Sequence, residues 1–277
     1  LGSGSGGVVQ VGFHRPSGQR VAVKTLRVGG DDAKREQMLQ EISCLAQTAG
    51  CPYLIQWHAG FADRPSGSVR VVLEFMDRGS LADLRERLKP KGAPAGPVSC
   101  IAAQVVRGLR FLQLSKLLHR DIKPENVLHN SAGRVKLTDF GISRGLEEAA
   151  VGITFVGTAT YMAPERASGE SYSYESDIWS AGLVVYELAA GRYPFACASF
   201  PELFEGLLEG PELRLEPESF PAELCDLVAR CLVRDPADRP DALALSSHEA
   251  VESVGEEDIA AFSAWLATLG EHKGRRK

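Results

Sequence analysis

The apolar pattern changes character once along the chain, at Leu73-Glu74-Phe75-Met76-Asp77, and that switch limits the possible folds more than any other feature. Ahead of it the apolar runs are short and strand-like. Val8-Val9-Gln10-Val11-Gly12-Phe13 and Arg20-Val21-Ala22-Val23-Lys24 flank a Pro16-Ser17-Gly18 turn signal, the pattern of a hairpin. Gly29-Gly30-Asp31-Asp32 then opens a helix, with Asp31 or Asp32 as N-cap and an apolar stripe of Met38, Leu39, Ile42, Leu45 and Ala46. Tyr53–Trp57 and Val69–Leu73 read as two further strands on either side of a Pro65-Ser66-Gly67 turn.

Behind the switch the spacing is helical. Val98, Ile101, Ala102, Val105, Val106, Leu109 and Leu112 recur at three and four, the mark of a long buried helix. Further apolar helices are expected from Ile178 to Ala190 and around Leu224–Leu232, with the Pro- and Gly-rich 89–97 stretch as a loop. Ile259, Phe262, Trp265, Leu266 and Leu269 give an amphipathic tail helix, expected to dock on the chain's own surface, before a basic end from His272 to Lys277 that should fray. The class is α+β. A small β-rich unit with one helix and a truncated first strand spans 1–76, a larger and mainly helical unit spans 77–248, and the tail follows over 249–277.

Composition narrows the function. The 277 residues suffice for two lobes with their own cores, and a formal net charge of −5 argues against bulk nucleic-acid binding. No apolar run is long enough to cross a bilayer, and no signal peptide opens the chain. Leu1 stands directly on a glycine-rich stretch with no Met ahead of it, so the chain is expected to be a trimmed piece of something longer. None of the six cysteines forms C-x-x-C or a zinc-spaced cluster, so they read as small buried side chains in a reducing, cytoplasmic setting.

The chemistry sits in an ordered set of short strings. Gly2-Ser3-Gly4-Ser5-Gly6-Gly7-Val8-Val9 fits G-x-G-x-x-G-x-V through Gly2, Gly4 and Gly7, where backbone can approach phosphate without a side chain in the way. Valines and a hairpin follow rather than a helix, which favours a hairpin lid over a dinucleotide fold, and no Walker-type string is present. Lys24 ends a V-A-V-K strand and suits α- and β-phosphates, and Glu41 on the next helix suits it as a partner. In His119-Arg120-Asp121-Ile122-Lys123-Pro124-Glu125-Asn126, Asp121 can take a proton or orient a hydroxyl, and Lys123 can offset charge on a transferring phosphoryl group. Asn126 and Asp139 (of Asp139-Phe140-Gly141) offer oxygens of the kind magnesium prefers. His119 and Phe140 read as packing residues.

Together with Ala163-Pro164-Glu165, these strings resemble the protein kinases from Gly2 to about His248. The resemblance implies a bilobal kinase fold, ATP and Mg2+ as cofactors, and a protein substrate. Val9 and Ala22 would line the adenine site, Leu73 would be the gatekeeper, and Glu74 to Met76 would be the hinge. Asp177 resembles the helix aspartate that anchors the catalytic-loop backbone. Glu165 and Arg239 resemble a buried ion pair, and Leu45, Trp57, His119 and Phe140 a stacked hydrophobic column.

Finer resemblance points to the MAP kinase kinases. It is carried by Phe155 to Arg166, by Tyr174 to Leu183, by Gly191-Arg192-Tyr193-Pro194-Phe195 and by Phe262 to Leu266. Asp121-x-Lys123 is the Ser/Thr-type pattern, and Thr158 resembles the threonine that contacts the catalytic Asp and Lys. The resemblance implies phosphorylation of Thr and Tyr in a MAP kinase activation loop, and an upstream activating kinase acting at Thr154, with Arg120 and Arg144 receiving the phosphate. Two departures stand out: Glu125 replaces a small residue, and Glu147-Glu148-Ala149-Ala150 replaces the first loop hydroxyl. Glu147 or Glu148 either supplies part of the missing charge or is a plain solvated acid. Alternative readings are another Ser/Thr kinase of the same cascade, a pseudokinase scaffold, and a plain nucleotide-binding module. The complete Lys24, Glu41, Asp121, Asn126 and Asp139 set speaks against the pseudokinase, and a plain nucleotide-binding module would need neither Asp121 nor the Ala163-Pro164-Glu165 segment.

Overall fold

The computed structural model describes residues 2–4, 7–27, 42–63, 67–139, 159–195 and 199–270. Strands β1 (Gly2–Gly4), β2 (Gly7–His14), β3 (Gln19–Arg27), β4 (Trp57–Asp63) and β5 (Ser68–Glu74) form one antiparallel sheet in the order β1-β2-β3-β5-β4. The 15–18 turn closes the β2–β3 hairpin, with Gly18 at φ 68° donating its N–H to the His14 carbonyl at 2.8 Å. A helix covers the described residues 42–47 (α1).

One strand lies elsewhere than its sequence suggested. Tyr53–Gln56 is not a strand; only Leu54 makes an isolated bridge, to Leu137, and β4 begins at Trp57. The interior of β4 is exposed from His58 to Ala62, an edge strand whose residues carry no alternation to read.

The helical part follows as α2 (Leu81–Leu88), α3 (Ala95–Leu114), α4 (Pro164–Ala167), α5 (Tyr174–Ala190), α6 (Phe200–Glu209), α7 (Ala222–Cys231), α8 (Ala242–Leu245), α9 (Glu249–Glu252) and α10 (Glu256–Thr268). A short second sheet, β6 (Val127–His129) with β7 (Val135–Leu137), lies between α3 and α4 in sequence. Every stripe position expected on α3 is buried. The helix starts inside the stretch read as a loop, because Pro97 falls in its first turn, where a missing N–H costs nothing. α5 is buried on nearly all sides. Gly182 lets α7 come close: a Cβ there would stand 2.7 Å from the Cys231 Cβ.

The tail helix docks on the chain itself. Ile259, Phe262 and Leu266 are buried, Phe262 stacks on Trp265, and Arg134 grips Glu256 at 3.0 and 2.6 Å. At its far end Arg78 and Arg87 donate to the carbonyls of Gly270 and Leu269, covering the negative pole of α10. Cys44, Cys51, Cys100 and Cys231 are buried as expected, whereas Cys225 is half-buried; Cys197 lies outside the described residues. Burial pushes the Cys100 thiol up to about 11 and the Cys231 thiol up to about 12, so neither is a thiolate at neutral pH.

Candidate active site

Strand register collects one half of the site. Val9 lies opposite Lys24, and Ala22 opposite Leu73, so with the two-residue side-chain period all four share one face of the sheet. Gly2, Gly4 and Gly7 lie at the open end of that sheet, where β1 pairs with β2 and Gly4 faces Gly7.

The other half is built on a loop held from below. His119 and Arg120 donate their backbone N–H groups to the two carboxylate oxygens of Asp177, at 2.8 and 2.9 Å. Asp177 projects from the first turn of α5 and also accepts the Tyr172 hydroxyl at 2.5 Å. Burial pushes the Asp177 carboxyl up, against the pull of these donors. Turning two consecutive amides onto one carboxylate sets Arg120 at φ 65°, a conformation that costs about 1–3 kcal/mol for a side-chain-bearing residue. His119 is fully buried, and burial lowers its pKa, so its imidazole is neutral at pH 7. Its Nδ1 accepts the Asp121 N–H at 3.3 Å.

Asp121 emerges from this anchored loop. Lys123 Nζ lies 2.9 and 2.8 Å from its two oxygens, and Asn126 Nδ2 donates to its carbonyl and its Oδ2, both at 2.8 Å. Asn126 closes a one-turn 3-10 helix, Pro124–Asn126, immediately before β6. The β6–β7 hairpin then returns the chain, so that Thr138 donates to the Asn126 carbonyl at 3.0 Å and Asp139 follows beside it. Asp139, at φ 56°, accepts from Lys24 Nζ at 2.7 Å. That bond joins the sheet to the loop across a chain separation of 115 residues. Lys24, Asp121, Lys123, Asn126 and Asp139 therefore meet at one place.

The oxygens fit a hard divalent cation. Asn126 Oδ1 and one oxygen of Asp139 carry no bond among the described residues. No group of three or more His, Cys, Asp or Glu side chains able to hold a metal exists among those residues. An ion would be shared with phosphates and water, as magnesium commonly is.

Glu41, Phe140, Arg144, Glu147, Glu148, Thr154 and Thr158 lie outside the described residues. Arg120 is exposed. In the deep support, Glu165 and Arg239 form a bidentate pair at 2.9 and 3.0 Å, with Ser176 also donating to Glu165 at 2.7 Å. Leu45, Trp57 and His119 all belong to buried or half-buried packing.

Several supporting residues were not read from sequence. Tyr172 beneath Asp177 sits in a Ser/Tyr run without any pattern. Lys136 is buried in β7 and pairs with Glu74 at 2.6 Å, joining the end of the large sheet to the hairpin that carries Asp139. Its signal was a lone lysine between Val135 and Leu137, both buried. Glu187 on α5 is buried, accepting the Tyr161 hydroxyl at 2.5 Å and Arg85 at 2.9 Å, and so ties α2 to the residues before Ala163-Pro164-Glu165.

Comparison with known proteins agrees with this geometry. A model of the protein kinase domain matches residues 1–251. Mitogen-activated protein kinase kinase 1c of Physcomitrium patens is 37% identical over 268 residues, covering 93% of this chain and 76% of that protein. Mitogen-activated protein kinase kinase 2 of Arabidopsis thaliana is 38% identical over 289 residues, covering 99% of this chain and 78% of that protein. Dual specificity mitogen-activated protein kinase kinase 1 of Dictyostelium discoideum is 41% identical over 197 residues, covering 70% of this chain and 29% of that protein. The chain belongs to the protein kinases, and within them to the mitogen-activated protein kinase kinase family.

Proposed function

We propose that this kinase transfers the γ-phosphoryl group of ATP to Thr and Tyr hydroxyls in the activation loop of a MAP kinase. The observation that carries the reading is the meeting of Lys24, Asp139, Asn126, Asp121 and Lys123, brought from two separate sheets and one anchored loop. The relatives' names support the choice of a MAP kinase as substrate, and the Dictyostelium protein's name supports dual specificity.

In this mechanism Val9, Ala22 and Leu73 form the apolar face for adenine, with Glu74 to Met76 beside it. Gly2, Gly4 and Gly7 leave room for phosphates, and Lys24 directs the α- and β-phosphates with Glu41 as its second partner. Magnesium held by Asn126 and Asp139 would offset phosphate charge. As a protein substrate enters, Lys123 leaves Asp121 for the γ-phosphoryl group, while Asn126 keeps its bond and fixes the carboxylate. Asp121 then orients the acceptor hydroxyl in line and takes its proton as the oxygen–phosphorus bond forms and ADP leaves. Most of the catalysis is positioning and electrostatics.

Thr154, phosphorylated by an upstream kinase, is the switch in this reading, with Arg120 and Arg144 as the cations that receive the phosphate. Incubation with a panel of catalytically dead MAP kinases and Mg-ATP, followed by mapping of modified residues, tests the substrate. Modification of both Thr and Tyr of a T-x-Y loop is expected; modification of Ser or Thr in other proteins alone would favour a different tier of the cascade. Thr154→Ala is expected to reduce the activated rate strongly, and unchanged turnover would refute the switch.

A further inference from the structure

Away from the catalytic cleft, a cavity of about 520 Å³ opens between the turn entering α3, the end of α5 and the loop joining α6 to α7. Its floor is fixed by backbone. Ala93 donates to the Leu188 carbonyl at 2.7 Å, and Gly92 (φ 72°) packs against Gly191 (φ 70°) so closely that a Cβ on either would collide with the other's chain. Leu215 is buried beneath the outer loop, and Arg234 holds the start of that loop through the carbonyls of Leu207 at 2.8 Å and Pro211 at 3.1 Å. The site is therefore built before any ligand arrives.

Its charge is one-sided. Lys91, Arg192 and Arg214 line it against a single carboxylate, Glu216. Lys91 and Arg192 are exposed and carry no side-chain bond among the described residues, whereas Arg214 is engaged at 2.7 Å by Glu212, a solvent-exposed and exchangeable partner. The chain as a whole carries −5, so this cationic pocket stands against the prevailing field. Half-buried Tyr186 and Phe220 add apolar walls that a bare oxyanion would not use.

We propose that this cavity is a docking site for an extended acidic peptide, two carboxylate side chains meeting Lys91 and Arg192 while an apolar residue between them rests on Tyr186 and Phe220. Lined by no residue of the Asp121 loop, it recruits a partner without taking part in phosphate transfer, and it stands whatever the acceptor hydroxyl proves to be.

The test is fluorescence anisotropy on the whole 277-residue chain with a labelled Asp/Glu-rich nonapeptide bearing a central Phe, alongside the same peptide with Lys in place of its acids. The acidic peptide is expected to bind saturably at low salt and to weaken as salt rises. Lys91→Glu/Arg192→Glu is expected to weaken it by about tenfold or more, with phosphorylation of a short generic peptide unchanged. Should that variant lose its fold, Lys91→Gln/Arg192→Gln is expected to weaken binding by about threefold. Equal binding of the Lys peptide, affinity indifferent to both variants, or full displacement by millimolar inorganic phosphate would overturn the proposal. So would capture by phosphatidylserine vesicles with no peptide binding.

Discussion

Glu165 and Arg239 show how much a single pair of side chains carries beneath the site. Arg239 also donates to the carbonyls of Val233, Glu175 and Arg234, so every face of its guanidinium is used, and it lies 5.1 Å from the Trp179 ring centre. Burial alone would raise the Glu165 pKa, but the bonds from Arg239 and Ser176 outweigh it and hold the carboxyl below the ordinary glutamate value. A depressed folded-state value stabilises the protein above about pH 4.3 and ceases to do so as pH falls through the folded value. Glu165→Gln is expected to cost about 3–5 kcal/mol at neutral pH, by urea denaturation, because it leaves a buried cation unpaired. The difference from wild type should narrow below about pH 4; a gap that widens on acidification would contradict the assignment.

At the scale of elements, the Glu74–Lys136 pair couples the end of β5 to β7, and so the large sheet to the hairpin that sets Asp139. Either Glu74→Gln or Lys136→Met alone strands a partly buried charge and is expected to cost about 1–3 kcal/mol. The double variant should cost less than the sum, by denaturation in a double-mutant cycle, and strict additivity would show the pair to be uncoupled. The tail helix is a structural part of the molecule rather than an appendage. Phe262→Ala is expected to lose about 3–5 kcal/mol by removing a fully buried ring, read as a fall in melting temperature.

These elements also show what the sequence could tell. The α3 stripe and the tail stripe were legible because helical burial leaves a period in the apolar residues. Asp121, Asn126, Asp139 and Lys24 were legible because each stands in a local string. β4 was not legible, since an edge strand with exposed residues has no period. Lys136 was not, because its partner Glu74 lies 62 residues away and only the fold brings them together; Tyr172 was not, because nothing in its Ser/Tyr run marks it as the hydroxyl that turns onto Asp177 five residues on.

Taken as a whole, the molecule is a sheet and a helical body, and among the described residues the Lys24–Asp139 and Glu74–Lys136 pairs are two of the polar bonds that join them. The helical body has the buried α5 within its core and the Asp121 loop hung from Asp177. On this account the reactive geometry is assembled by the fold, and the carboxylate at 121 does the one chemical task left, taking the acceptor proton. The most direct measurement is single-turnover phosphate transfer from Mg-ATP to a catalytically dead MAP kinase by wild type and by Asp121→Asn, with ATP affinity measured in parallel. A rate lower by about 10²–10⁴-fold with ATP affinity little changed is expected; equal rates for the two proteins would contradict the account.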